Sequence, residues 1–434
     1  MPKSPPGART ALVVLAFAAA GGPARADTLA DAIALAYRTN PTLQQQRAQQ
    51  RALDETYVQA HAGWRPTLNG NGSITYQRQA LGQFGGANIG NANLQASQPL
   101  YTSGRVSAAV DAAEANVLAG REGLRAVEGQ VLQSVVQAYE DVRRDQTILG
   151  IREKNVEVLR NQLEQTKVRY EVGQVTRTDV AQAEAQLAAS RAQLATAQSQ
   201  LQNSRAAYAT VVGQNPGDLD PAPQLPGLPA TVDEAFDAAE HANGTLQRAR
   251  LLEASSRARV AQAKALGGPT FTANATIGVA GPIAPFDRRD YGTNITLQGV
   301  ISKPLFAGGV IQSGVRQALE QNTADRVAIE GARRQVVQSV AQAWNVMSSA
   351  RAGVTANEEQ VKAATVAFTG IQEQYQVGIS TILDVLVAQA TLRDAELALA
   401  QSRRDFNVAQ SSLLAAMGRL EARAVLTGTP LYDP

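Results

Sequence analysis

The chain contains no cysteine. That excludes a disulfide framework, a thiolate zinc site and a lipid anchor on an N-terminal cysteine. Histidine is nearly absent as well: His61 and His241 are the only two, each near a helix end and apart from any cluster of carboxylates. A metal centre therefore has no ligand set, and no cofactor is expected. Gly308-Gly309 is not followed by a phosphate-cradling pattern. With no reactive cluster, an enzyme has no site to stand on. After residue 26 there is no run of ~20 apolar residues, the length an α-helix needs to cross a bilayer. Proline is missing from Leu100 to Asn215 and again from Leu305 to Thr429.

An excess of one charge is also missing, with 40 Lys and Arg against 38 Asp and Glu. The N-terminus accounts for what excess there is. Lys3 and Arg9 precede the apolar stretch Ala11 to Ala20, and Ala24-Arg25-Ala26 is a small-residue cleavage site, the three parts of a secretory signal. Removing residues 1–26 takes away Lys3, Arg9 and Arg25 and moves the formal charge from +2 to −1. A nucleic-acid partner has no support in such a chain.

What the sequence does have is a duplication. Gln130-Val-Leu-Gln-Ser-Val-Val-Gln-Ala-Tyr139 returns as Gln335-Val-Val-Gln-Ser-Val-Ala-Gln-Ala-Trp344, with seven of ten positions identical. The offset of 205 residues (344 − 139) also relates Pro99 to Pro304, Gly173 to Gly378, Asp179 to Asp384 and Gly213 to Gly418. An unbroken register keeps each helix face in place, so two equivalent halves forming one packed object are expected. The division reads as a signal peptide over 1–26, a first repeat over 27–217, a linker over 218–230, a second repeat over 231–420 and a tail over 421–434.

Each half reads as helix, two strands, very long helix, turn, helix. The opening helices, Thr28 to Ala62 and Thr231 to Leu266, are interrupted at Asn40-Pro41 and Asn243-Gly244 and stopped by Pro66 and Pro269. Hairpins follow over 67–101 and 270–306. Leu68, Gly70, Gly72, Ile74 and Tyr76 alternate with Asn69, Asn71, Ser73 and Thr75, and Phe271, Ala273, Ala275, Ile277 and Val279 alternate with polar residues in the second copy. Period two with one apolar face is the strand signature. Glycine-rich loops are expected over Leu81–Gly90 and Gly281–Asp290. Strands of about ten residues suit an outer-membrane hydrocarbon layer. Four strands of a soluble sandwich would show the same alternation. The membrane reading makes a stronger demand: four strands cannot close a barrel around water, so several chains must share one.

The long helical hairpins run over 105–212 and 308–417. At 1.5 Å per residue the first arm of each is roughly 100 Å long and needs a partner along its length. Val180, Leu187, Leu194, Leu201 and Tyr208 recur every seven residues, as do Val385, Leu392, Leu399, Phe406 and Leu413. Small residues follow three positions later: Ala183, Ser190, Ala197 and Ser204, then Ala388, Ala395, Ser402 and Ala409. Large at a with small at d is a close-packed heptad seam. A periplasmic coiled-coil adaptor or fibre without a pore shares the seam but has no use for one-faced strands.

These residues together resemble the TolC family of outer-membrane efflux and type I secretion channels. The marks are Gln98-Pro99-Leu100-Tyr101-Thr102-Ser103-Gly104 and Lys303-Pro304-Leu305-Phe306-Ala307-Gly308-Gly309 at the barrel-to-helix junction. At the tips they are Tyr170-Glu171-Val172-Gly173 leading to Thr178-Asp179-Val180, and Tyr375-Gln376-Val377-Gly378 leading to Leu383-Asp384-Val385. The resemblance implies an α+β membrane protein: a homotrimer whose twelve-stranded outer-membrane β-barrel, four strands per chain, continues into a twelve-helix periplasmic α-barrel. Its partners would be outer-membrane lipid, a periplasmic adaptor and an inner-membrane transporter. Its place would be the outer membrane of a Gram-negative cell, reaching into the periplasm. It would act as a passive exit duct gated at its helical tips.

The resemblance also assigns roles. Asp179 would bond Tyr375 to hold the tunnel shut. The arginine that strengthens this lock in the family is Ser380 here, and Arg177 on the first tip is the nearest substitute. Asp384 would form an acidic ring at the constriction, while the second ring position is Val387. Independently of the family, Asp179 and Asp384 sit where helix N-caps are expected, and Gly173 and Gly378 where the chain turns back with positive φ. Trp64, Tyr101 and Phe306 flank strand ends, where interfacial aromatics collect; junction packing would place them there equally. Mass spectrometry of protein recovered from the cell envelope should find a mature N-terminus at Asp27; an intact Met1 would refute the signal reading.

Overall fold

The computed structural model describes residues 28–78, 86–223, 225–283 and 290–422. The signal peptide and residues 423–434 of the tail lie outside these. The first half consists of α1 (Leu29–Thr39), α2 (Pro41–His61), a single 3-10 turn (Ala62–Trp64), β1 (Thr67–Arg78), β2 (Gly86–Tyr101), α3 (Arg105–Glu171) and α4 (Arg177–Val212). The second repeats it as α5 (Val232–Ala242), α6 (Gly244–Ala265), β3 (Thr270–Pro282), β4 (Gly292–Ser302), α7 (Val310–Gln376) and α8 (Ile382–Ala416). α3 and α7 are each 67 residues long.

The duplication holds at the level of single hydrogen bonds. Asn40 ends α1 and caps α2, its Oδ1 accepting from Thr42 N (3.0 Å) while its Nδ2 donates to Val211 O (2.9 Å). Asn243 does the same between α5 and α6, accepting from Thr245 N (2.9 Å) and donating to Ala416 O (2.8 Å). One asparagine thus satisfies two orphan N–H groups at a helix start and a carbonyl at the end of the neighbouring hairpin. Pro41 fits at the first helical position, where no N–H is needed.

The four strands form one antiparallel sheet in the order β1-β2-β3-β4. Its register aligns the apolar positions of every strand. Gly70, Leu94, Ile277 and Ile295 stand in one row, and Leu68, Ala96, Ala275 and Leu297 in the next. The opposite face carries rows such as Asn69, Gln95, Thr276 and Thr296. Because side chains alternate, a one-residue slip in any strand would mix the faces. The apolar face is bare: Leu68, Ile74, Ile295, Leu297 and Ile301 are all exposed in the single chain. So are the outer edges of β1 and β4, which pair on one side only.

Two expected loops are shorter than the glycine content implied. β2 already begins at Gly86, inside the stretch read as Leu81–Gly90, and β3 runs on through Gly281 to Pro282. Glycine weakens strand propensity, but pairing Gly86 with Arg78 and Gly90 with both Ile74 and Gly281 outweighs it. Residues 79–85 and 284–289 lie outside the described residues. Pro99 sits within β2 beyond its last partner in β1, the Thr67–Ser97 pair, so the missing N–H costs no ladder bond there. The register shifts between Pro99 and Tyr101.

The helices bury three cores. One gathers Ile33, Leu43, Leu132, Val135, Tyr139, Tyr208 and Val212 from α1, α2, α3 and α4. Its counterpart gathers Ala235, Leu246, Val336, Val340, Met347, Leu413 and Met417 around α5, α6, α7 and α8. The third lies near the far ends of the hairpins. In the α4 seam, Ala183, Leu187, Ser190, Ala197, Leu201, Ser204 and Tyr208 are buried, so the large-then-small heptad sets the hairpin packing. Leu297→Arg on the apolar face should cost about 2–4 kcal/mol near a bilayer midplane and reduce bilayer-inserted protein, while Gln298→Arg on the other face should be tolerated. Quantifying folded, membrane-integrated protein for both variants checks this; equal effects would contradict a lipid-facing apolar side.

Candidate functional site

The two tips, where α3 turns into α4 and α7 into α8, are built alike. Gly173 and Gly378 have φ of +76° and +80°, a region that strains other residues. The left-handed step lets Gln174 N return to Arg169 O, and Ile379 N to Gln374 O, each at 2.9 Å. Each turn thereby closes on the last carbonyls of the long helix.

The next helix starts with a reciprocal cap. Thr176 is the N-cap of α4, its hydroxyl accepting from Asp179 N (3.3 Å), and Asp179 Oδ2 accepts from both Thr176 N and Thr176 Oγ1 (2.8 Å each). Thr381 and Asp384 repeat this at α8, with 3.3, 2.8 and 2.6 Å. The aspartates are therefore third-position partners in capping boxes, and the N-caps themselves are Thr176 and Thr381. A carboxylate three residues into the helix reaches back to an N–H that it could not reach from the cap position. The Thr176 backbone and hydroxyl bonds hold Asp179 below the usual aspartate range, and the Thr381 hydroxyl and backbone bonds do the same for Asp384. Both carboxylates face solvent.

The remaining tip residues differ between the halves. Tyr375 is only 7% exposed and packs with Val156, Leu159, Leu187, Ile382 and Leu386 between the hairpins. Its counterpart Tyr170 is 45% exposed. The Arg169 guanidinium lies 4.4 Å from the Tyr375 ring centroid, a cation–π contact. The structure does not bring Asp179 to Tyr375 within one chain. Asp179 is taken up by its capping box, and the buried Tyr375 hydroxyl has no hydrogen-bond partner in the chain. Ser380 Oγ donates to Gln374 Oε1 at 2.9 Å. Arg177, the first residue of α4, is exposed and makes no ion pair among the described residues. Val387 is exposed on α8, one turn beyond Asp384.

One feature of this region was not anticipated from the sequence. Asn155 Nδ2 donates to Ser190 Oγ (2.7 Å), and Gln389 Nε2 donates to Asn155 Oδ1 (3.1 Å). All three residues are buried, so one amide ties α3, α4 and α8 at a fixed register. The heptad pattern flagged Ser190 as a small seam residue, but nothing in sequence spacing joins it to Asn155 or Gln389.

At the opposite end, Gly104 and Gly309 start α3 and α7 with φ of +83° and +84°. Ser103 Oγ donates to Pro269 O, tying the first junction to the start of β3. Gln98 Nε2 donates to Trp64 O (2.8 Å), so Trp64 is held against β2 beside Pro99. Tyr101 ends β2 half-exposed, while Phe306, after Pro304, is almost fully exposed. No helix of the described residues is long and apolar enough to cross a membrane, and they hold no cluster of metal-ligating side chains.

The chain matches the family described as outer membrane efflux protein over residues 32–214 and again over 236–419. It is 32% identical over 415 residues to the outer membrane efflux protein BepC of Brucella suis, covering 95% of this chain and 90% of that protein. It is 26% identical to the outer membrane protein TolC of Escherichia coli, covering 96% and 87%. Among solved structures, its fold is similar to the outer membrane protein VceC of Vibrio cholerae (TM-score 0.75, 24% identity, 90% and 96% covered). It is also similar to the open state of the MtrE outer membrane channel of Neisseria gonorrhoeae (TM-score 0.77, 22% identity, 91% and 90% covered). Matched in both halves of its duplication, and carrying the one-faced sheet and paired long hairpins described above, the chain belongs to the outer membrane efflux protein family and has the TolC-type channel fold.

Proposed function

We propose that this chain is the outer-membrane exit duct of a tripartite efflux pump or type I secretion system. Three copies share one barrel. The observation that carries this reading is the sheet: an apolar face with two bare edges, joined at glycine hinges to helices roughly 100 Å long. An open sheet edge has no place in hydrocarbon, so β1 and β4 must be paired by further copies. A periplasmic fibre or adaptor would gain nothing from lipid-facing leucines and isoleucines.

The duct is passive. Energy and choice of cargo belong to an inner-membrane transporter reached through a periplasmic adaptor at the tips. There, Gly173 and Gly378 permit the reversal, and the capping boxes of Asp179 and Asp384 make each α4 and α8 start rigid. Tyr375, anchored under Arg169, holds the two hairpins of one chain together. The first tip's Arg177 and the exposed Tyr170 are left for neighbouring copies, while Ser380 is spent on Gln374. Asp384, with its oxygens bonded on one side and solvent on the other, supplies one carboxylate per chain to the constriction. Val387 adds none.

Purified from outer membranes, the protein should run as a heat-modifiable trimer and form channels in planar bilayers; a soluble monomer without conductance would overturn the duct. Trivalent cations should block the channel from the tip side, and Asp384→Asn should abolish most of that block. Within one chain the Thr381 hydroxyl and backbone bonds lower the Asp384 pKa, so the carboxylates are charged and block should persist at neutral pH, weakening as acid protonates them. Block that survives Asp384→Asn unchanged would remove Asp384 from the constriction.

A further inference from the structure

The two long helices are equal in length and start conformation but not in company. α3 is packed by α1, α2 and α4 of its own half and by α6 and α8 of the other. α7 is packed by α5, α6 and α8 of its own half, and meets the other half at its far end, where Tyr375 packs against α3 and α4. α3 buries side chains along most of its length, whereas the buried positions of α7 are Asn322, Val336, Val340, Met347, Ala364 and Tyr375. Leu132 is fully buried and its 205-residue counterpart Val337 is 45% exposed. By the duplication, what α7 lacks are the counterparts of α6 and α8, namely α2 and α4 from another copy.

The within-chain seam shows what such a seam looks like, and its bonds can be mapped position by position. Arg404 Nε meets Asp141 Oδ1 at 2.8 Å across the α8–α3 seam. The counterparts are Ser199 and Val346. Arg125 Nε donates to Glu421 Oε1 at 2.7 Å; the counterparts are Glu330 and Pro216, which cannot pair. Gln133 Nε2 donates to Ser412 Oγ at 2.9 Å; the counterparts are Gln338 and Ala207. Where α6 starts, a Cβ on Gly244 would lie 2.8 Å from Glu122 O, so that helix end presses on α3. The counterparts there are Pro41 and Val327, both exposed.

We propose that α7 is closed by α2 and α4 of a second copy, in a seam that repeats the α3 seam in geometry but not in chemistry. Within a chain the seam carries ion pairs; between chains neither pair recurs, with Val346 against Ser199 of the partner subunit, Val327 against Pro41 of the partner subunit, and Glu330 paired with Arg334 on its own helix. The inference rests on the shared-barrel assembly proposed above and adds which surfaces meet and how. It accounts for the bare valines on α7: Val346, 58% exposed, stands where α3 has Asp141, and Val327 where α3 has Glu122. An ion pair in both seams would also let α8 of one chain compete with α4 of another for the same helix. Giving the two seams different chemistry keeps each hairpin with its proper neighbour.

The test is a transplanted charge pair. Val346→Asp alone should leave a carboxylate facing a serine and reduce trimer yield at least tenfold. Adding Ser199→Arg should rebuild across chains the pair that Arg404 and Asp141 make within one, and restore trimer to near the wild-type level. In case Val346→Asp fails to fold, Ser199→Cys with Val346→Cys provides a second readout, unconfused by native thiols because the chain has none. A short thiol crosslinker should then join chains to one another. Trimers unaffected by Val346→Asp, no gain on adding Ser199→Arg, or crosslinks confined within one chain would each overturn the proposal while leaving the duct reading intact. Failure of the wild-type protein to trimerise would count against the duct itself.

Discussion

An unpaired strand edge cannot rest in hydrocarbon, and most of this architecture follows from that constraint. The sheet is apolar on one face, polar on the other, and open at β1 and β4. In water, such an object would aggregate through its edges and its leucines. In a bilayer it is complete only when copies pair edge to edge, which closes a wall with lipid outside and polar side chains within. Four strands give too few for a lumen, so the pore belongs to the assembly and not to the chain.

The helices inherit the problem in another form. A helix of 67 residues cannot be stabilised by its own backbone bonds; it needs apolar cover along its length. α3 finds that cover within the chain and α7 does not. Their difference in burial, despite equal length and equal positive-φ starts at Gly104 and Gly309, marks where the chain stops and its neighbour begins. Duplication makes this economical, since one packing solution serves both seams. The tips show the same logic locally: two identical capping boxes, but one tyrosine buried and the other left exposed.

Much of this was legible in the sequence because it depends on periodicity. Alternation along Leu68–Tyr76 and Phe271–Val279 gave the strands and their faces, the heptads from Val180 and Val385 gave the hairpin seams, and the 205-residue register gave the equivalence of the halves. Positions requiring φ > 0 were also readable at Gly173 and Gly378. What stayed hidden depends on geometry between distant segments. Glycines near Gly86 and Gly281 looked like loop, yet strand pairing recruits them. Asp179 and Asp384 lay one turn later in their caps than expected, because threonine and aspartate three apart share that role. The Asn155–Ser190–Gln389 tie and the burial of Tyr375 but not Tyr170 come from which helices meet, which no local pattern encodes.

The central claim is that β4 of one copy hydrogen-bonds to β1 of the next in the membrane. A cryo-EM map of the protein in lipid nanodiscs tests it most directly. The account predicts a closed wall of strands around a lumen, with the β1–β2–β3–β4 order repeating through a β4-to-β1 junction at each chain boundary. A sheet that remains four-stranded with free edges, or copies joined β1 to β1, would contradict it.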